Sequence, residues 1–290
     1  MTEGEEYGIL KEWMSVEIRS YVHPKRDQNL MFWKERWKMK IAVITGASSG
    51  MGKEFVLQLS REKQLDEIWV IARRKERLEA LGSEVKTKIR PLALDLTQEE
   101  SIEEYRKLLE KERPEVSVLV NASGFGRFGA FEAMELDTMY RMIDLNVKAY
   151  VGMTYATMPY LTNGSEVYQL DSLSSFQPVP YINVYGATKA FVLSFSRALN
   201  VEWKKKGIRV MAVCPGWVKT EFFDHAVTDD TITYYNRFYT PDQVIKRAIR
   251  DMKKRRDVSI CGFPVRAQVL ATKLLPHRMV MKIWCKQQKK

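Results

Sequence analysis

Residues 40–52 read Lys40-Ile41-Ala42-Val43-Ile44-Thr45-Gly46-Ala47-Ser48-Ser49-Gly50-Met51-Gly52, an apolar run that passes into a glycine-rich turn. The apolar run Ile41 to Ile44 is the pattern of a strand buried on both faces. It ends in a turn where Gly46, Gly50 and Gly52 are interleaved with Ala47, Ser48, Ser49 and Met51. An amphipathic stretch over 50–63 follows, so the glycines stand where a strand passes into a helix. Glycine lets the backbone turn tightly and approach an anion closely. The first helical turn adds free N–H groups and the positive end of the helix dipole. The expected ligand of Gly46, Ser48, Ser49, Gly50, Met51 and Gly52 is therefore a pyrophosphate. A glycine-rich turn alone is weak evidence; its place between a first buried strand and a helix gives it weight.

Outward from this turn, apolar runs alternate with helical periodicity. Strands are expected at 40–45, 67–72, 88–94, 116–121, 165–171 and 208–214. Helices are expected at 50–63, 75–81, 98–112, 138–161 and 183–206. This alternation implies βαβ units and an α/β fold: a doubly wound parallel sheet of Rossmann type. Three segments are expected: an N-terminal extension at 1–38, one domain at 39–262 and a basic amphipathic tail at 263–290. Residues 1–38 carry seven bases and seven acids with poor periodicity, and Met39 stands just before the first strand.

The net charge of +11 is unevenly placed. Residues 241–290 hold 14 Lys+Arg against 3 Asp+Glu, leaving 33 of each sign in residues 1–240. A balanced body argues against nucleic acid as a partner. Cys214, Cys261 and Cys285 lie far apart with no metal-ligand or redox spacing, so reduced thiols, no metal and a cytoplasmic setting are expected. No apolar stretch reaches the ~18 residues a membrane span needs, and residues 1–38 lack a signal-peptide core.

Further motifs follow in order. They are Asp95 after the third strand, Asn121-Ala122-Ser123-Gly124 after the fourth, Asn146 in the long helix and Ser172 after the fifth. Tyr185-Gly186-Ala187-Thr188-Lys189 and Pro215-Gly216-Trp217-Val218-Lys219-Thr220 complete the series. With the TGxxxGxG spacing, this set resembles the short-chain dehydrogenase/reductase family over about residues 40–260. The resemblance implies a hydride-transferring oxidoreductase that uses a nicotinamide dinucleotide. It also implies cofactor contacts from Asp95, Asn121, Gly124, Pro215, Gly216, Val218 and Thr220, with Asp95 at the adenine and Thr220 at the carboxamide. The chain departs from the family in Asn121-Ala122-Ser123-Gly124, where Asn-Asn-Ala-Gly is usual. It departs again at Asp171, where serine or another small residue is common.

The second strand runs into Arg73-Arg74 with no acid at its end. An acid there would accept from a ribose 2′-OH, whereas guanidinium suits a 2′-phosphate. NADP(H) is therefore expected, with Arg73 as its ligand. Tyr185 and Lys189 share a helix face, and Ser172 lies 13 positions upstream at a strand end. Reducing a ketone needs a proton at oxygen, and a free phenol titrates too high, near pH 10. A neighbouring ammonium acidifies it. Tyr185 is thus the expected acid/base and Lys189 the group that lowers its pKa, and Ser172 hydrogen-bonds the substrate oxygen. By resemblance, Lys189 also binds the nicotinamide ribose and Asn146 positions a proton-relay water.

Residues 217–240 contain Trp217, Phe222, Phe223, Tyr234, Tyr235, Phe238 and Tyr239. An aromatic lid suits an apolar carbonyl such as a steroid, lipid or fatty-acyl ketone; the same rings could pack on the body or a second subunit. The tail interleaves bases with helically spaced apolar residues and has Pro276 as a breaker. It suits peripheral contact with an anionic membrane, a cap on the pocket or a subunit interface. Family resemblance implies a homodimer or homotetramer. A non-catalytic NADP-binding sensor is the alternative; such proteins typically lose the tyrosine or the lysine, and this chain keeps both. An epimerase or dehydratase would resemble a longer branch with different glycine spacing.

Overall fold

The structure is a computed structural model that describes residues 39–227 and 229–290. The expectation for residues 1–38 lies outside the described residues.

Seven parallel strands form one sheet in the order β3-β2-β1-β4-β5-β6-β9. They are β1 (Lys40–Thr45), β2 (Glu67–Ala72), β3 (Lys88–Ala93), β4 (Glu115–Asn121), β5 (Leu161–Leu170), β6 (Arg209–Val213) and β9 (Val258–Ser259). The order reverses between β1 and β4, and there the carboxyl ends of neighbouring strands open a crevice. Residues 41–44 of β1 are all fully buried, as their unbroken apolar run requires.

Strand side chains alternate between two core layers. Ala42, Ile44, Val118 and Val120 pack on one face with Phe55 and Leu59 of α1 (Gly50–Glu62) and Ile245 and Ile249 of α8 (Pro241–Lys253). Ile41, Val43 and Leu119 pack on the other with Tyr105 and Leu109 of α3 (Glu99–Glu112) and Met153 of α5 (Ala149–Thr157). The short α2 (Lys75–Ala80) connects β2 towards β3, and α6 (Asn183–Glu202) joins β5 to β6.

The single helix expected at 138–161 is instead α4 (Leu136–Ile143), a π turn (Asp144–Lys148), α5 and a 3-10 turn (Met158–Tyr160). Pro159 ends it, since proline lacks the N–H that a continuing helix needs. Strand β5 then starts at Leu161, four residues earlier than the apolar run indicates. Sequence reading also missed β9, which is two residues long, and a small second sheet of β7 (Trp217–Val218) and β8 (Phe238–Tyr239). Between them runs the short α7 (Phe222–Ala226).

Residues 263–290 form α9 (Phe263–Leu274) and α10 (His277–Gln287), separated at Pro276. They fold back onto the domain. Val265 joins the main core, and Trp284 is buried with Phe128 and Ile182, its indole N–H donating to the Pro180 carbonyl at 3.0 Å. No described helix is long and apolar enough to cross a membrane.

Candidate active site

Two adjoining cavities open at the carboxyl edge of the sheet. The first, about 530 Å3, lies over the glycine turn. Gly46, Ser48, Ser49, Gly50, Met51, Gly52, Arg73, Asp95, Gly124 and Thr220 all line it. Gly46 and Gly50 have φ of 67° and 54°, the left-handed region where a side chain is strained. A Cβ on Gly52 would stand 2.2 Å from the Gly46 carbonyl oxygen, so the turn closes on itself only with glycine there. The Thr45 hydroxyl accepts from the amides of Ala122 and Ser123 at 2.9 and 3.0 Å, tying the ends of β1 and β4 together. The cradle and its helix N-terminus fit a pyrophosphate.

Not every residue expected here reaches the wall. Asn121 is buried behind it, donating to Thr154 Oγ1 and Gln169 Oε1, both at 3.0 Å. Val218 is buried in β7, and Pro215 and Gly216 face the second cavity. At the 2′ end, Arg73 is an exposed rim residue, whereas Arg74 donates to the Ser48 and Ser49 hydroxyls at 3.1 Å each. Arg74 also meets Glu221 at 2.9 Å, and Arg77 meets the other oxygen of that carboxylate at 2.6 Å. Those two guanidinium groups hold the Glu221 carboxyl below its ordinary range. Sequence reading chose Arg73 of the pair, whereas the guanidinium that reaches the serine hydroxyls belongs to Arg74, and it missed Glu221.

The second cavity, about 300 Å3, is walled by Ser172, Tyr185, Trp217 and Tyr234 on one side and by Thr272, Leu275, Ile283 and Trp284 of the C-terminal helices on the other. Phe128 and Phe222 stand 6.0 and 5.5 Å from the Tyr185 ring, centroid to centroid, so the tyrosine sits in an aromatic collar. Of the lid rings, Trp217 and Tyr234 face this cavity and Phe222 the first, while Phe223, Tyr235 and Phe238 pack on one another.

Tyr185 and Lys189 lie one turn apart on α6, and Lys189 is buried. Its Nζ donates to the Leu170 carbonyl at 2.8 Å and stands 5.2 and 5.7 Å from the rings of Tyr150 and Tyr185. Burial lowers the Lys189 ammonium to about 8. Burial also pushes the Tyr185 phenol above its ordinary value, a hydrogen bond with Ser172 pulls the other way, and the Asp171 charge raises it further. Desolvation is the largest influence on the phenol, and it runs against the direction expected of a neighbouring ammonium. Asn146 sits in the π turn, fully buried. Its amide accepts from Phe125 N at 3.1 Å and donates to Phe125 O at 2.9 Å and Thr188 Oγ1 at 3.1 Å. A Cβ on Gly124 would come within 3.0 Å of Asn146 Oδ1 and 3.6 Å of Lys189 Nζ, so the glycine lets the loop after β4 close down on both buried side chains.

A switch-point crevice over a glycine turn, beside a pocket lined by Ser172 and Tyr185 with Lys189 buried one helical turn from the tyrosine, defines a dinucleotide-dependent oxidoreductase. The family model for short chain dehydrogenases matches residues 40–231, and the chain belongs to that family. It is an oxidoreductase acting on carbonyl or alcohol substrates. Among its relatives is an uncharacterised oxidoreductase of Staphylococcus epidermidis, 30% identical over 185 residues, which are 63% of this chain and 80% of that one. The serine 3-dehydrogenase of Agrobacterium fabrum is 33% identical over 186 residues, 62% of this chain and 72% of that one. A short-chain dehydrogenase from Sphingobium yanoikuyae, solved in complex with NADPH, superposes with a TM-score of 0.70 at 27% identity, covering 81% of this chain and 94% of that one.

Proposed function

We propose that this chain is an NADP(H)-dependent enzyme interconverting a secondary alcohol and a ketone on an apolar substrate, with Tyr185 as the acid/base. One observation carries this reading: the Tyr185 ring and the Ser172 hydroxyl both form the wall of an apolar cavity that adjoins the cavity over the glycine turn. Arg74, seated on Ser48 and Ser49, supports a 2′-phosphorylated cofactor, with Arg73 at the rim. The NADPH complex of the Sphingobium relative supports the same choice.

When bound, the nicotinamide supplies or takes the hydride, and its oxidised ring carries a positive charge. The protein's residues do the rest. The glycine turn and the start of α1 would hold the pyrophosphate, Thr220 the carboxamide, and Asp95 the adenine. Ser172 hydrogen-bonds the substrate oxygen and steadies charge that develops there. Tyr185 gives its proton to that oxygen during reduction and takes it back during oxidation. Lys189, held on the Leu170 carbonyl, places a cation under the phenol. Asn146 holds the Phe125 loop over it. The aromatic collar excludes water and favours a bulky apolar carbonyl over a small polar one.

The test is NADPH oxidation across a panel of ketones and aldehydes. Wild type turns over apolar ketones, and Tyr185→Phe loses about 10²–10⁴-fold in kcat with its fold intact. Undiminished turnover in Tyr185→Phe would remove the assignment.

Two partner assignments extend this reading. Leu136 and Tyr140 on α4, Val151 and Tyr155 on α5 and Phe191 on α6 are exposed, a large apolar area that supports pairing with a second copy. Phe263, Leu270 and Leu274 on α9 and Met279 on α10 are also exposed, close in sequence to Arg266, Lys273, Lys282 and Lys286. That mixture supports peripheral contact with anionic lipid.

A further inference from the structure

Beside the Ser172–Tyr185 pair lies a buried carboxyl that the chemistry above leaves unused. Asp171 follows β5 directly and is 2% exposed. Its Oδ2 accepts from the Cys214 thiol at 3.2 Å, while Oδ1 is buried with no hydrogen-bond partner. The Ser175 hydroxyl and the Ser172 amide lie near enough to favour its ionised form. The titratable groups that face it are Lys189 and Tyr185 from α6, Tyr150 from α5 and Cys214 from the end of β6. Of these, Lys189 is the cation, and its amine is fixed to the carbonyl of Leu170, the residue next to Asp171. A carboxyl with a buried, unpartnered oxygen is costly to keep, so its presence near a buried ammonium calls for a reason.

We infer that Asp171 is the buried counter-charge of Lys189, a positioning residue that sets, through that lysine, the net charge beneath the Tyr185 hydroxyl and so the pH range over which the phenol exchanges its proton. This rests on the reading of Tyr185 and Lys189 as the proton-handling pair. Burial pushes the Asp171 carboxyl up to about 7, with Lys189 pulling the other way. Burial pulls Lys189 down to about 8, with Asp171 holding it up. Below that window the carboxyl is neutral and the ammonium acts on the phenol unopposed. Within it the two charges offset one another. Above it the amine is neutral and the carboxylate remains, which disfavours the phenolate. An uncharged residue at this position removes the opposition at every pH.

The pairing is tested without substrate or cofactor. An infrared pH titration is run on the full-length protein, with wild type, Asp171→Asn and Lys189→Met compared. Wild type should show the carbonyl stretch of a neutral carboxylic acid fading near neutral pH. The band should be missing in Asp171→Asn and should fade about one pH unit higher in Lys189→Met. A wild-type spectrum without that band above pH 5, or an unmoved midpoint in Lys189→Met, overturns the inference. A second arm follows the pH dependence of kcat/KM for NADP+-linked alcohol oxidation. Asp171→Asn and Asp171→Ser should both move the midpoint to lower pH by about one unit. Unmoved midpoints in both also overturn it, and this arm decides should Lys189→Met not fold. If wild type turns over no alcohol at all, the functional reading fails while the infrared arm still decides the pairing.

Discussion

Arg73 and Arg74 are chemically identical neighbours, yet only Arg74 reaches the hydroxyls of Ser48 and Ser49. At a strand end successive side chains point to opposite faces, so a shift of one residue exchanges the inside for the rim. Arg74→Ala should weaken NADP+ binding about 10–100-fold, the value of one charged hydrogen-bonding group, and leave NAD+ binding little changed. Arg73→Ala should cost less; calorimetric titration of both variants with both dinucleotides checks it. That β2 ends in two arginines and no acid was legible; which of the two turns towards the serine hydroxyls was not. The same limit applied at Tyr185. The motif names the phenol and the amine, but how far burial opposes their coupling depends on what packs around them. Phe128 and Phe222 come from segments remote in sequence.

Among elements, those legible in advance were the strands with unbroken apolar runs and the helices with clean periodicity. The π turn at 144–148 was hidden because Asn146 is held by Phe125, 21 residues away, and Thr188, 42 away, contacts that leave no local pattern. Strand β9 was hidden because two residues carry no period. The C-terminal helices were visible as amphipathic but their partner was not: half of each is spent on the pocket wall and half is left bare. For the bare half, anionic vesicles should sediment the wild-type protein, and neutral vesicles should not. Leu270→Ser with Lys273→Glu should abolish the effect without touching Val265 or Trp284. Unchanged sedimentation of the double variant removes lipid contact from the function. Deleting the tail would be a poorer test, since it also unroofs the pocket.

For the whole molecule, one set of exposed apolar side chains lies on α4, α5 and α6, apart from those of the C-terminal helices, and within it Tyr155 is 71% exposed. Tyr155→Glu should convert a dimer or tetramer to a smaller species in sedimentation velocity while leaving the circular dichroism spectrum unchanged. Wild type that already sediments as a monomer would end that assignment. The parallel sheet could be read from the alternation of segments, and the crevice from where β1 and β4 part. For residues 263–290 the linear pattern left a membrane contact, a pocket cap and a subunit interface open, and the structure has them supply one wall of the second cavity.

That wall has a consequence for biogenesis. Residues 40–231 leave the ribosome before residues 263–290, and domains tend to fold as they emerge. Every residue that lines the crevice over the glycine turn is therefore made before the wall that the partner cavity takes from residues 263–290. A chain cut ahead of Phe263 keeps the residues of that crevice but loses Val265 from the core and the far wall of the second cavity, and it should present Tyr185 to bulk water.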